Sequence, residues 1–206
     1  MIGVVDFGSG NTRSVLRALD AIGADARLVP TPEGIDAADR LVLPGVGAAP
    51  SAVAELMARG LWEPVRRWGI DGRPLLGLCL GAQLLLEGSD EGGAPGLGLI
   101  GGRCRAFPDA ADGGPRQVPH TGWNEVSTPN GGFDAYFVHG YWLDADPAAV
   151  AGWTEVDGFR FPSLLRSGSL TGTQFHPEKS GPTGRAILAA FATGALDTPP
   201  KVAAWS

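Results

Sequence analysis

The stretch Pro74-Leu75-Leu76-Gly77-Leu78-Cys79-Leu80-Gly81-Ala82-Gln83 decides how the rest of the chain is read. Leu75 to Leu78 is a short apolar run of the kind that forms a buried strand, and a helix is expected to run on through Leu84, Leu85 and Leu86. Between them Cys79 stands in the form Gly-x-Cys-x-Gly, the thiol counterpart of the strand-turn-helix nucleophile elbow. A side chain on so sharp a turn needs small neighbours, which Gly77 and Gly81 supply. Its sulfur then lies at a helix N-terminus, where the dipole and the free amides favour thiolate. The amide of Leu80, next in line, is placed to donate to an oxyanion. Taken alone, the motif also fits a small cysteine packed in a strand-helix corner. Partners elsewhere in the chain have to separate the two readings.

Toward the N-terminus, strands alternate with helices. Ile2 to Asp6 reads as a buried first strand, Phe7-Gly8-Ser9-Gly10 as a turn, and Asn11 as the cap of a helix with Val15, Leu16, Leu19 and Ile22 on one face. Gly23 ends that helix. Ala26 to Val29 and Leu41 to Leu43 are further strands, the second closed by Pro44-Gly45-Val46-Gly47. Helices are expected near Ser51 to Met57 and Trp62 to Trp68. This alternation predicts an α/β fold: a mostly parallel sheet with helices on both faces and reactive loops at the carboxyl ends of its strands. Toward the C-terminus the pattern changes. Glycine-rich loops at 92–102 and 109–115 flank short runs at 103–107, 123–126, 136–139, 159–165 and 169–175, which predict an antiparallel extension of the sheet. Thr183 to Thr193 is a closing helix stopped by Gly194. The expected organisation is one domain, 1–196, and a loose tail, 197–206.

Composition sets bounds. A chain of 206 residues with 44% hydrophobic and 18% charged content buries a core without staples. A net charge of −6 offers no basic footprint for nucleic acid. The two cysteines, Cys79 and Cys104, form no disulfide scaffold and fit a reduced cytoplasmic setting. No apolar run reaches membrane-spanning length. Neither an internal repeat nor a metal-spaced Cys/His cluster is visible.

A base for Cys79 must come from His120, His139 or His176. His176 is best placed, at the end of the strand-like run ending in Phe175. Pro177 fixes a rigid step after it, so that the Glu178 carboxylate can reach the imidazole and set its tautomer. Nucleophile, base and orienter are then all present. The glycines on both sides of Val46 let that peptide turn over, and its amide could join that of Leu80 beside the thiol.

Six stretches together resemble the class I (triad) glutamine amidotransferases, and among them the glutaminase subunit of imidazole glycerol phosphate synthase. They are residues 6–11 (DFGSGN), 44–47 (PGVG), 77–83 (GLCLGAQ), 118–124 (VPHTGWN), 136–141 (YFVHGY) and 174–180 (QFHPEKS). The likeness spans about residues 1 to 195. It implies a flavodoxin-like amidotransferase fold, no cofactor or metal, and glutamine as substrate. It implies that Cys79 attacks the glutamine carboxamide, that His176 moves the protons and that Glu178 orients His176. Leu80 and Val46 would form the oxyanion hole. Gln83, Gly47 and the His139-Gly140-Tyr141 backbone would hold glutamine. Ammonia would pass to a barrel-shaped cyclase subunit in a heterodimer, with Asn11, His120, Trp123, Tyr136 and Lys179 facing that partner.

The chain departs from the family pattern at Ala49, usually aromatic, and at Gly140, usually a hydroxyl residue. It departs again at Asp157-Gly158 and Ser163-Leu164-Leu165 within the less typical 151–166 segment. Two rival readings stay open: an amidotransferase serving another synthase, and a stand-alone cysteine hydrolase on the same sheet. Asp6-Phe7-Gly8 spells a kinase signature without the rest of a kinase. Gly96 to Gly101 spells a dinucleotide fingerprint with no strand before it, and both are set aside.

Overall fold

The computed structural model describes residues 1–196 except 111–113 and 115. The tail expected at 197–206 and most of the 109–115 loop lie outside the described residues. The strands are β1 Ile2–Val5, β2 Ala26–Val29, β3 Arg40–Leu43, β4 Leu75–Leu78, β5 Gly88–Ser89, β6 Gly102–Ala106, β7 His120–Thr128, β8 Gly131–His139, β9 Tyr141–Ala145, β10 Val150–Val156, β11 Phe159–Ser167 and β12 Leu170–Thr173. The helices are α1 Thr12–Asp20, α2 Pro32–Asp36, α3 Ala49–Ala58, α4 Trp62–Ile70, α5 Leu80–Leu84 and α6 Gly181–Thr193.

Nine strands form one sheet in the order β2-β1-β3-β4-β12-β11-β10-β7-β8. From β2 to β12 every pairing is parallel, and from β12 to β8 every pairing is antiparallel. The parallel strands β1, β3 and β4 are apolar along nearly their whole length, as strands covered by helices on both faces must be. Among them Val4, Val42, Leu76 and Leu78 pack against α1 and α6, while Val5, Leu41, Leu43 and Leu75 join the core on the other face. Among the described residues no helix is long and apolar enough to cross a membrane.

Several elements differ from the sequence expectation. α5 stops at Leu84, short of the expected Leu86. The carbonyls of Leu84, Leu85 and Leu86 accept the N–H groups of Leu97, Leu99, Ile100 and Gly98, so the glycine-rich loop takes the bonds a longer helix would use. Gly96 permits that approach, since a Cβ there would lie 1.9 Å from the Leu86 carbonyl oxygen. The apparent dinucleotide fingerprint is therefore a packed cover on α5, with the amides of Gly96 to Ile100 already bonded. The run at 103–107 does not extend the main sheet. As β6 it pairs with β5 and β9 in a separate three-stranded sheet. The atypical 151–166 segment is the β10–β11 hairpin. Asp157 and Gly158 turn it with φ of +47° and +73°, the two left-handed positions of a type I′ turn.

Asn11 precedes α1 without capping it; its side chain is used elsewhere. Gly23, at φ +74°, closes α1 with the paired bonds Ala24 N–H to Leu19 O and Gly23 N–H to Asp20 O, at 3.0 and 2.8 Å.

Candidate active site

Four neighbouring parallel strands, β1, β3, β4 and β12, deliver their carboxyl ends to one place. Past β1 come Ser9 and Asn11, past β3 the Pro44–Gly47 loop, past β4 Cys79, and past β12 His176. The seam between β4 and β12 sets the main distance, because Leu78 is in register with Thr173 and Cys79 N–H donates to Thr173 O at 2.7 Å.

The elbow is built by close packing. Cys79 has φ +50°, a left-handed conformation that costs a non-glycine residue on the order of 1–3 kcal/mol. The flanking glycines allow the crossing. A Cβ on Gly81 would stand 1.8 Å from the Leu43 carbonyl oxygen, and one on Gly77 would stand 2.7 Å from the Gly81 carbonyl oxygen. Both clashes are with backbone, so no side-chain rotation relieves them. Gly-x-Cys-x-Gly is thus read sterically: β3, β4 and α5 touch at main-chain distance around the thiol. The amides of the first turn of α5, Leu80 among them, have no carbonyl one turn earlier to bond.

His176 is fully buried, and its Nδ1 lies 2.7 Å from Glu178 Oε1. A carboxylate only accepts, so Nδ1 carries the proton and Nε2 is the basic nitrogen. Nε2 is buried without a hydrogen-bond partner among the described residues. Burial pushes the imidazole pKa down, but the Cys79 sulfur and the Glu178 carboxylate outweigh it and take the ring up to about 9. At neutral pH the ring is therefore held as the imidazolium, with Cys79 and Glu178 as its partners. Gln174 Nε2 donates toward Cys79 Sγ at 3.7 Å, and the sulfur lies 3.8 Å from Val138 O.

Above the thiol is a cavity of about 210 Å³ lined by Val46, Gly47, Cys79, Leu80, Gln83, Glu91, Val138, His139, Gly140 and Tyr141. Every residue expected to hold substrate is at its wall. Glu91 was not anticipated; it lies in a turn at the edge of the glycine-rich loop, with nothing in the local sequence to mark it. Its Oε2 accepts Ala49 N–H at 2.7 Å. The small residue expected to be aromatic, Ala49, is thus tied by its backbone to a carboxylate at the cavity.

A directional hydrogen-bond chain braces the far wall. His139 Nδ1 lies 2.7 Å from Tyr141 O, so it donates there and Nε2 accepts. His120 Nδ1, 3.0 Å away, must then donate to His139 Nε2, leaving His120 Nε2 to accept from Asn124 Nδ2 at 3.2 Å. Burial lowers the pKa of both rings, that of His139 to about 3, which keeps this neutral chain intact. Gln83 Nε2 bonds Tyr141 O and Gln174 Oε1, both at 3.3 Å, joining that wall to the elbow.

The five residues expected to face a partner divide into two groups. Trp123 (58% exposed), Tyr136 and Lys179 form one surface patch, with the Trp123 and Tyr136 rings 6.3 Å apart and Lys179 Nζ 5.7 Å over Tyr136. Tyr136 O also accepts His176 N–H at 2.9 Å, so the patch adjoins the base. Asn11 and His120 are buried instead, because their polar atoms are used inside: Asn11 on Glu178 and His120 on His139. Cys104 is fully buried in the core, where desolvation raises its thiol pKa.

Comparison with known proteins places the chain in a family. The family model described as glutamine amidotransferase class-I matches residues 3–195. A protein of Streptococcus sanguinis named imidazole glycerol phosphate synthase subunit HisH is 47% identical over 200 residues, covering 93% of this chain and 95% of its own. One of the same name from Rhodopirellula baltica is 41% identical, covering 96% and 99%. A solved structure titled as a glutamine amidotransferase superposes with a TM-score of 0.74 at 23% identity, covering 93% of this chain and 98% of its own. The chain belongs to the class I glutamine amidotransferase family, alongside the subunits named HisH of imidazole glycerol phosphate synthase.

Proposed function

We propose that this chain is the glutaminase subunit of an imidazole glycerol phosphate synthase, hydrolysing glutamine through Cys79, His176 and Glu178 and passing ammonia to a barrel-shaped cyclase subunit in the cytoplasm. The observation that carries this reading is the β4–β12 seam, which sets a strained cysteine beside a buried His-Glu pair at the floor of a cavity of amino-acid size.

In the first step His176 Nε2 takes the Cys79 proton, and Sγ adds to the glutamine side-chain carbonyl. The C=O electron pair moves to oxygen, which the Leu80 amide, and the Val46 amide once turned, would stabilise. His176 returns the proton to the amide nitrogen, the C–N bond breaks, and ammonia leaves a γ-glutamyl thioester. Water, deprotonated by the same Nε2, opens the thioester to glutamate and free thiol. Glu178 fixes the ring through its bond to Nδ1. The Glu91 carboxylate suits the α-ammonium of the bound amino acid, and Gln83, Gly47 and the His139–Tyr141 backbone enclose the remainder. The Trp123–Tyr136–Lys179 patch, next to the base, is where a cyclase would cover the site.

In the structure the Val46 amide is occupied by Ser9, with Val46 N–H to Ser9 Oγ at 3.2 Å. One oxyanion donor of this kind contributes a factor of about 10²–10³ in rate. The isolated chain should therefore release glutamate slowly, and release should rise strongly when the cyclase and its ribonucleotide ligand are added. Glutamate release with and without cyclase and ligand tests this. Full activity in the isolated chain, unchanged by cyclase, would instead mark a stand-alone hydrolase.

A further inference from the structure

The donor that the oxyanion hole lacks is held by a set of bonds whose directions are all determined from one end. Glu178 Oε1 belongs to a carboxylate and can only accept, so the Asn11 atom 3.2 Å from it is the Nδ2 donor. The other end of the Asn11 amide, Oδ1, then faces Ser9 Oγ at 3.1 Å and can only accept. The Ser9 hydroxyl must donate its proton there, which leaves its oxygen lone pairs for Val46 N–H. Each link fits only one way round. The chain runs from the oxyanion loop through two side chains to the carboxylate that orients His176, and it uses Asn11, which α1 does not use as a cap.

We propose that Ser9 is a positioning residue, a latch that holds the Val46 amide off the thiol in the resting chain and, through Asn11, anchors that resting loop to the triad carboxylate. The inference rests on the amidotransferase reading above and extends it. Two features give the latch its purpose. Val46 is 36% exposed, so its side chain does little to oppose turning of the peptide and this bond is left to hold it. Because Ser9 is anchored through a buried amide rather than left in solvent, its hydroxyl is oriented before Val46 meets it.

The test uses the full chain without cyclase. Ser9→Ala removes the acceptor and leaves the Val46 amide without its partner. The resting kcat for glutamate release is expected to rise by roughly 2- to 10-fold, the factor of one hydrogen bond, with KM for glutamine unchanged. Ser9→Thr, which restores the hydroxyl, is expected to return kcat to the wild-type value. The stimulation by cyclase and its ligand should shrink by the same factor in Ser9→Ala. A loss of packing alone would lower kcat rather than raise it, and an unchanged or lower kcat overturns the latch. If Ser9→Ala does not fold, amide exchange in the wild-type chain decides: the latch predicts a protected Val46 N–H, and exchange at the unprotected rate overturns it. The two levels of failure are distinct. If wild type releases no glutamate even with cyclase and ligand, the amidotransferase reading fails and the latch with it. If wild type and Ser9→Ala release it at equal rates, only the latch fails.

Discussion

Replacing Glu178 with Gln isolates what the buried carboxylate does for His176. The Glu178 side chain is fully buried, and its Oε1 accepts from both His176 Nδ1 at 2.7 Å and Asn11 Nδ2 at 3.2 Å. A Gln carbonyl can accept both bonds, so the ring keeps its tautomer. Two things change. The imidazolium loses a charged partner, and hydrogen bonds to charged groups contribute about 1–1.5 kcal/mol more than neutral ones. The new NH₂ also occupies the place of Oε2, which is buried with no partner among the described residues, at a cost of about 1–3 kcal/mol in stability. The first effect is felt where His176 is charged, so kcat should fall roughly 5- to 15-fold. That is far smaller than the loss from Cys79→Ala. A pH effect follows as well. The folded imidazole is raised from 6.5 to about 9, so the stability it contributes is full below pH 6.5 and is lost as pH rises through about 9. In the Glu178→Gln variant the ring's pKa drops, and less stability is lost over that window. Urea unfolding at pH 6.5 and pH 9, with kcat for glutamate release, measures both effects. The reasoning is refuted if Glu178→Gln loses as much kcat as Cys79→Ala, or if the two proteins lose equal stability between those pH values.

Two further substitutions probe the walls of the site. Gly45→Val would place a Cβ 2.8 Å from Leu80 Cβ and 3.1 Å from Gly81 N, so it should push on the elbow and lower kcat both with and without cyclase. Unchanged basal kcat would show that the loop has room there. At Gly140 a Cβ would meet only Val118 Cγ1, at 3.4 Å, so Gly140→Ser fits and brings a hydroxyl to the cavity. KM for glutamine should fall by roughly 2- to 10-fold, the factor of one hydrogen bond; an unchanged KM would mean that glutamine does not reach that wall.

The parallel half of the fold was legible because its signals are local. Apolar runs of three or four residues, ended by glycine-containing loops, mark β1, β3 and β4, and the spacing around Cys79 marks the elbow. His176 and Glu178 were legible from a strand end followed by a proline. The antiparallel half was harder. β10 was missed although Asp157-Gly158 carries the turn chemistry of a hairpin, because its partly exposed strand lacks strict alternation. β9 was missed because Gly140 directs the chain from the main sheet into the smaller one, which is a tertiary choice. The burial of Asn11 and His120 could not be read from their neighbours in sequence. It depends on Glu178 and His139, which lie 167 and 19 residues away. Glu91 is hidden for the same reason, since only packing of its turn against Ala49 brings it to the cavity.

The central claim is that Cys79 is the nucleophile of a glutaminase that feeds a partner. Its most direct test is Cys79→Ala assayed in complex with the cyclase and its ribonucleotide, once with glutamine and once with ammonium salt. The account predicts no glutamate release and no glutamine-driven product, with complex formation and ammonia-driven product formation at wild-type levels. Glutamate release by Cys79→Ala at a rate comparable to wild type would contradict it.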